Sequence, residues 1–227
     1  MIRKIRSSLI LALVLGLGMA ATSPAWAISD AQKLVVKAKW TLDNMIKNQD
    51  FGSFRETLPK AKGVMIFPAI IKGAFIFGGE GGNGVLLGRT GKGNWSYPAF
   101  FTLGAASFGL QIGGEIKEVV LLLMSTRAVK AVIANEVKLG ADLSVTAGPV
   151  GVGVEGSTTT AAGADIIAFA FSKGAFAGIS VEGAVIHERS SLNGSYYKSG
   201  ATARQIVIQR KWKNRGAEGL RRSLSRY

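Results

Sequence analysis

The residues with the most obvious chemical potential are Gly79, Gly81 and Gly84, which stand in the spacing G-x-G-x-x-G. In a dinucleotide-binding loop such glycines follow a strand and open a helix, whose N-terminal N–H groups and dipole hold the pyrophosphate. Here Val85-Leu86-Leu87-Gly88 follows, then Arg89-Thr90-Gly91-Lys92-Gly93-Asn94. That is a short apolar run closed by turn residues, which predicts another strand and no helix. Gly91-Lys92-Gly93 does not supply a P-loop, because a Ser or Thr must follow the lysine to reach the metal. The three glycines are therefore expected to turn hairpins.

His187 is the single histidine and the chain has no cysteine, so a metal site or a histidine-dependent triad would rest on one imidazole. Glu188, next to it on an apparent strand, would point to the opposite face. Glu80, Glu115, Glu155 and Glu182 each border a glycine. Two of them about 5 to 9 Å apart could act as the acid and base of a glycoside hydrolase. The sequence contains no constellation of nucleophile and base. The expectation is a binding protein with no cofactor, no metal and no catalytic residues, and a hydrolase built on paired glutamates is the alternative.

The elements that would carry these residues are short. Of the 30 glycines, 23 fall between Gly63 and Gly183, a density that rules out long helices there because each interior glycine costs about 1 kcal/mol relative to alanine. Leu143, Val145 and Ala147 alternate with polar residues, and Val150, Val152 and Val154 alternate with glycines, the period of a strand with one buried face. Further strands are expected at 64–67, 74–78, 85–87, 95–103, 107–112, 119–124, 166–171, 175–181 and 184–187. One helix interrupts them: Ser125 can cap a segment from Thr126 to Asn135 in which Val129, Val132 and Ile133 share a face.

Residues 29–47 predict the longest helix, opening with Ser29 and Gln32 in capping-box spacing. Ala31, Leu34, Val35, Ala38, Leu42, Met45 and Ile46 form its core-facing stripe. Lys33, Lys37 and Lys47 lie on the other side with Trp40 among them. A tryptophan among lysines suits a membrane interface, with the ring at headgroup depth and the cations on phosphates. Packing beneath a neighbouring loop is the other reading of Trp40.

Charge is distributed unevenly. The chain carries 28 basic and 14 acidic residues, with a balanced middle and an excess of cations at both flanks. Residues 198–227 hold nine basic residues against Glu218. Arg210, Lys211, Lys213 and Arg215 are the expected lipid contacts of this basic tail at 200–227, and Lys33, Lys37, Trp40 and Lys47 those of the helix. Arg3, Lys4 and Arg6 precede the apolar stretch Leu9 to Ala21, and Ala25-Trp26-Ala27 offers a cleavage site. Residues 1–27 are thus expected to be a signal peptide that sends the chain to the periplasm or a membrane. For an exported protein the anionic partner is expected to be a phospholipid surface and not nucleic acid. An outer-membrane β-barrel shares the leader, the glycine-rich alternation and the aromatic Tyr227. Its last strand should alternate apolar residues up to that aromatic, and Arg221-Arg222-Ser223-Leu224-Ser225-Arg226-Tyr227 does not.

Several spaced motifs carry a family resemblance. They are Ala61-Lys62-Gly63-Val64-Met65-Ile66-Phe67-Pro68, Gly78-Gly79-Glu80-Gly81-Gly82-Asn83-Gly84, Trp95-Ser96-Tyr97-Pro98-Ala99-Phe100, Gln111-Ile112-Gly113-Gly114-Glu115, Lys173-Gly174-Ala175-Phe176-Ala177-Gly178 and Tyr196-Tyr197. In this order they resemble the SYLF domain, the lipid-binding module also called the actin-binding domain of yeast actin-patch proteins, over roughly 28–199. The resemblance implies an α+β domain with an N-terminal amphipathic helix, a mainly antiparallel glycine-rich sheet and short helices. It also implies binding of acidic lipids through a basic surface to which the N-terminal helix contributes. An exported member would not meet actin.

Overall fold

The computed structural model describes residues 28–74, 77–91, 93–108, 113–134, 136–151, 163–172, 181 and 183–227. The leader expected at 1–27, residues 109–112 of the strand expected at 107–112, most of the strand expected at 175–181, the alternating residues Val152 and Val154, and Glu155 and Glu182 lie outside them. The chain begins with α1 (Asp30–Lys47) and α2 (Gly52–Thr57), separated by a 3-10 turn. Four long strands follow, β1 (Gly63–Ala74), β2 (Phe77–Gly88), β3 (Ala99–Phe108) and β4 (Gly113–Leu123). After α3 (Thr126–Ala134) come β5 (Val137–Lys138), β6 (Val145–Ala147), β7 (Ile166–Ser172) and β8 (Val185–Glu188), then α4 (Ser190–Tyr196), a π-turn at Arg204–Ile208 and α5 (Glu218–Leu224).

The strands form one sheet in the order β5-β8-β3-β2-β1-β4-β7-β6. Every pairing is antiparallel except β6 with β7. The fold is thus α+β, as the sequence suggests. The boundaries move: of the strand expected at 74–78, Ala74 ends β1 while Phe77 and Gly78 open β2, and β3 starts at Ala99, beyond Pro98. The central strands are apolar on both faces. Val64, Ile66, Val85, Leu87, Phe100, Val120 and Leu122 pack under α1, α2, α4 and α5, while Met65, Phe67, Leu86, Phe101, Leu121 and Leu123 pack under α3 and the π-turn. Runs such as Val119 to Leu123 read as continuous apolar stretches for this reason. An open sheet with β5 and β6 at its ends and helices on both faces is not the wall of a lipid-facing barrel.

Local sequence explains the helices. The Ser29 hydroxyl accepts from Gln32 N at 3.2 Å and caps α1, and Ser125 does the same for α3 through Ala128 N at 3.0 Å. The Gln32 side chain does not close a capping box. It donates to the Gly216 carbonyl at 3.0 Å and accepts from the Tyr196 hydroxyl at 3.1 Å. Asn193, fully buried on α4, accepts from Phe100 N and donates to Glu188, each at 2.9 Å, and Glu188 also accepts from Ala203 N. Glu188 is therefore a structural acceptor, and His187 is a half-buried residue of β8 opposite Thr102. Tyr196 and Tyr197 meet edge to face, with the Tyr197 hydroxyl on the Pro98 carbonyl at 2.7 Å. Burial pushes both phenols well above their ordinary pKa, so they remain neutral donors.

The G-x-G-x-x-G glycines occupy the interior of β2 and turn nothing, which corrects the hairpin expectation. None has a positive φ, and no helix leaves them. Their neighbours need the space. β1 shifts register between Ile66 and Ile71 around Pro68, whose missing N–H cannot join the ladder. The irregularity pushes Ala69 and Phe67 toward β2. A Cβ on Gly82 would overlap the Ala69 carbonyl, and one on Gly84 would lie 2.6 Å from the Ile66 carbonyl oxygen and against the Phe67 ring. At Gly79 the nearest atom would be Ala105 O at an ordinary 3.7 Å.

Gly84→Ala should therefore cost about 1–3 kcal/mol through overpacking, whereas Gly79→Ala should stay within about 0.5 kcal/mol of the parent. Urea unfolding of the two variants provides the comparison, and equal effects would contradict the close-approach account.

Acid should loosen the fold at two places. Asp165 accepts from Arg127 and from Ser144 N and Oγ, joining α3 to the start of β7. Burial raises its pKa, but these hydrogen bonds and the Arg127 charge outweigh it and the net shift is downward from 3.8. Glu218 lies below its ordinary 4.5, first through the Tyr97 hydroxyl. A depressed folded pKa supplies stability that is complete above the unfolded pKa and lost as pH falls through the folded one. Melting temperature should accordingly hold between about pH 7 and pH 5 and drop below about pH 4. Asp165→Asn should flatten part of that drop.

Candidate membrane interface

α1 lies across the sheet with Ala31, Val35, Ala38, Thr41, Leu42 and Met45 buried. Its opposite face is a single stripe. Lys33, Lys37, Trp40, Asn44 and Lys47 recur three or four residues apart and all are exposed, the spacing that stacks side chains along one side of a helix. Trp40 is 60% exposed, so it does not pack beneath a loop. Lys33 pairs with Asp30 at 3.1 Å, and Lys37 and Lys47 form no ion pair among the described residues.

The basic segment after Ser199 is built into the fold. Ile206 and Val207 of the π-turn are buried against the α3 face, and Trp212 packs beside them with its indole N–H on Gln205 at 3.0 Å. The chain then crosses to the other face, where the Asn214 side chain donates to the Tyr196 carbonyl at 2.9 Å. Leu220 and Leu224 enter the α1 cluster. Arg210, Lys211 and Lys213 are exposed on the crossing segment, and Lys211 lies over the Trp212 ring. Arg215 is exposed next to Gly216, which touches the first turn of α1 through Gln32. The eight residues selected from sequence thus divide: Lys33, Lys37, Trp40 and Lys47 share one stripe, Arg215 sits at its N-terminal end, and Arg210, Lys211 and Lys213 belong to a separate strap.

α5 is fixed by polar contacts that sequence spacing does not reveal. Arg221 donates to both Glu218 oxygens at 2.9 Å and to the Trp95 carbonyl at 3.0 Å, and its guanidinium covers the Tyr97 ring at 4.2 Å. Tyr97 in turn donates to Glu218. Between α1 and α5 this leaves a groove of about 400 Å³ lined by Lys39, Asp43, Lys47, Arg222, Ser223 and Arg226, among others. Sequence reasoning missed Lys39, Arg222 and Arg226. The one available signal was the recurrence of arginine at 222 and 226, a turn apart.

No group of three or more His, Cys, Asp or Glu among the described residues could hold a metal ion. Glu80 and Glu115 register against Lys72 from either side. Among the described residues no helix is long and apolar enough to cross a membrane.

Comparison with known proteins agrees with the architecture. The profile of the Ysc84 family, described as Las17-binding protein actin regulator, matches residues 104–227. LAS seventeen-binding protein 3 of Saccharomyces cerevisiae is 37% identical over 182 residues, covering 77% of this chain and 39% of its own. Protein YSC84 of the same yeast is 35% identical over 182 residues, with the same shares of the two chains. SH3 domain-containing YSC84-like protein 1 of Bos taurus is 34% identical over 152 residues, covering 66% of this chain and 44% of its own. The chain therefore spans about two fifths of the length of the relatives it matches, and the first of these is named for binding LAS seventeen. On the profile match and the shared identity, the chain belongs to the Ysc84 family, whose common module is the SYLF domain.

Proposed function

We propose that this is an exported protein that associates peripherally with anionic phospholipid membranes through the outer face of α1. The observation that carries the reading is Trp40, 60% exposed in a row of lysines on a helix whose other face is buried. A large exposed indole is costly in water and favourable at headgroup depth, where lysine stems lie along the interface and their ammonium groups reach phosphate. The surplus of cations in the C-terminal segment adds long-range attraction. Las17 binding and actin regulation, which name the relatives, need a cytoskeletal partner that an exported chain would not meet. The role is binding and not catalysis.

Flotation of the purified protein with vesicles of phosphatidylcholine, with and without phosphatidylglycerol, tests this. Anionic vesicles should be preferred, and Trp40→Ala should weaken binding about tenfold at low and physiological salt alike, because indole burial is not coulombic. Replacing Arg210, Lys211, Lys213 and Arg215 together with Gln should weaken binding mainly at low salt, since screening acts over about 8 Å at physiological ionic strength. No preference for anionic over neutral vesicles at low salt would sink the reading.

A further inference from the structure

The groove between α1 and α5 is a second basic feature, and its chemistry differs from that of the α1 stripe. The stripe is a row of separate charges on a convex helix face. The groove is concave, and at about 400 Å³ it is of a size that accepts a small ligand. Its side chains include four cations, Lys39, Lys47, Arg222 and Arg226, and one acid, Asp43. Lys39 is bonded to Asp43 one turn on. Burial would raise Asp43, but hydrogen bonds from Lys39 and Ser223 and the charges of Lys39 and Lys47 hold its carboxyl below the ordinary value. Asp43 thus stays ionised at neutral pH and fixes the positions of Lys39 and Ser223. The Lys39 stem runs over Gly219, where an added Cβ would come within 3.3 Å of it.

Asp43 accounts for one of the four positive charges. Lys47, Arg222 and Arg226 form no ion pair among the described residues. Arg222 lies in the last turn of α5 and Arg226 in the turn that follows it, and neither is needed to dock α5, because Arg221 does that. A surplus of three positive charges, two of them planar guanidinium forks, matches an anion with more than one charge and several acceptor oxygens. A carboxylate or a phosphodiester would neutralise one of the three.

We infer that the α1–α5 groove binds a dianionic phosphomonoester, held by Lys47, Arg222 and Arg226 with Lys39 set in place by Asp43. The inference deepens the membrane reading, since Lys47 belongs to both the groove and the α1 stripe. The same phosphomonoester chemistry can come from a lipid headgroup or from a soluble phosphate ester.

The test has a membrane arm and a solution arm, each run with the purified protein and with Arg222→Gln/Arg226→Gln. In the first, vesicles of phosphatidylcholine contain either phosphatidic acid, a monoester, or phosphatidylglycerol, a diester, at matched surface charge. The parent should prefer phosphatidic acid about tenfold. The double variant should lose that preference while binding phosphatidylglycerol within about twofold of the parent and melting at the same temperature. In the second arm, inorganic phosphate and glycerol 3-phosphate are titrated while the amide resonances of Gly219 and Ser223 are followed. Saturable shifts in the parent that vanish in the double variant support the site, and Arg222→Lys should retain part of the response. A phosphate response without a vesicle preference assigns the groove to a soluble ester. Equal binding of the two vesicle types with no phosphate response overturns the inference and leaves general anionic binding standing. A preference that survives in the double variant also overturns it. If no anionic vesicle binds, the membrane reading fails and the phosphate titration still decides the groove.

Discussion

A sheet that is apolar on both faces has to be covered on both faces, and the rest of this molecule follows from that requirement. β1, β2 and β4 bury alternate residues in opposite clusters, at about 1.5–3 kcal/mol for each large aliphatic or aromatic side chain removed from water. One cover is α3 with the π-turn. The other is assembled from the two ends of the described chain, α1 laid beside α5, with α2 and α4 completing it. The basic groove is the seam of that second cover. It exists because two charged helix faces must lie side by side once their apolar faces are committed to the sheet.

The sequence motifs that identify the family are spent on this scaffold. Phe67 and Pro68 create the β1 irregularity, and Gly82 and Gly84 make room for it. Trp95 is buried beneath the Arg89 guanidinium, 4.3 Å from its ring centroid, and Arg89 in turn holds the Ala61 and Leu58 carbonyls. Tyr196 and Tyr197 fasten α4 between α1 and β3. These are close approaches and buried hydrogen bonds, which tolerate few substitutes. The exposed lysines and arginines that would meet a partner carry no such constraint. Relatives can therefore share the scaffold and present different surfaces.

That division also explains what the sequence disclosed. α1 was legible apart from the Gln32 half of its capping box, because its Ser29 cap, its apolar stripe and its Lys-Trp-Lys face are all local to one short segment. α3 was legible for the same reason. The Gly79, Gly81 and Gly84 pattern was correctly separated from a nucleotide loop by the missing helix, yet its role was misread. A glycine placed for contact with the neighbouring strand looks the same in sequence as one placed for a turn. The groove was hidden because Lys39 and Arg222 meet only through the docking of α5, and the anchors of that docking, Tyr97, Glu218 and Arg221, are far apart in the chain. The packing of the segment after Ser199 was hidden because its buried residues, Ile206, Val207, Leu220 and Leu224, are thinly spread among eight cations.

The Gln32 amide touches Gly216 on one side and Tyr196 on the other, at sequence separations of 184 and 164. A ribosome delivers α1 first and its partners last. Until the final residues emerge, the apolar stripe of α1 has half a lid, and β3 waits for β8 and β4 for β7. Pairings of such long sequence separation are slow to form. The growing chain thus lacks these pairings until α5 has emerged, a state in which a chaperone has an extended polypeptide to work on.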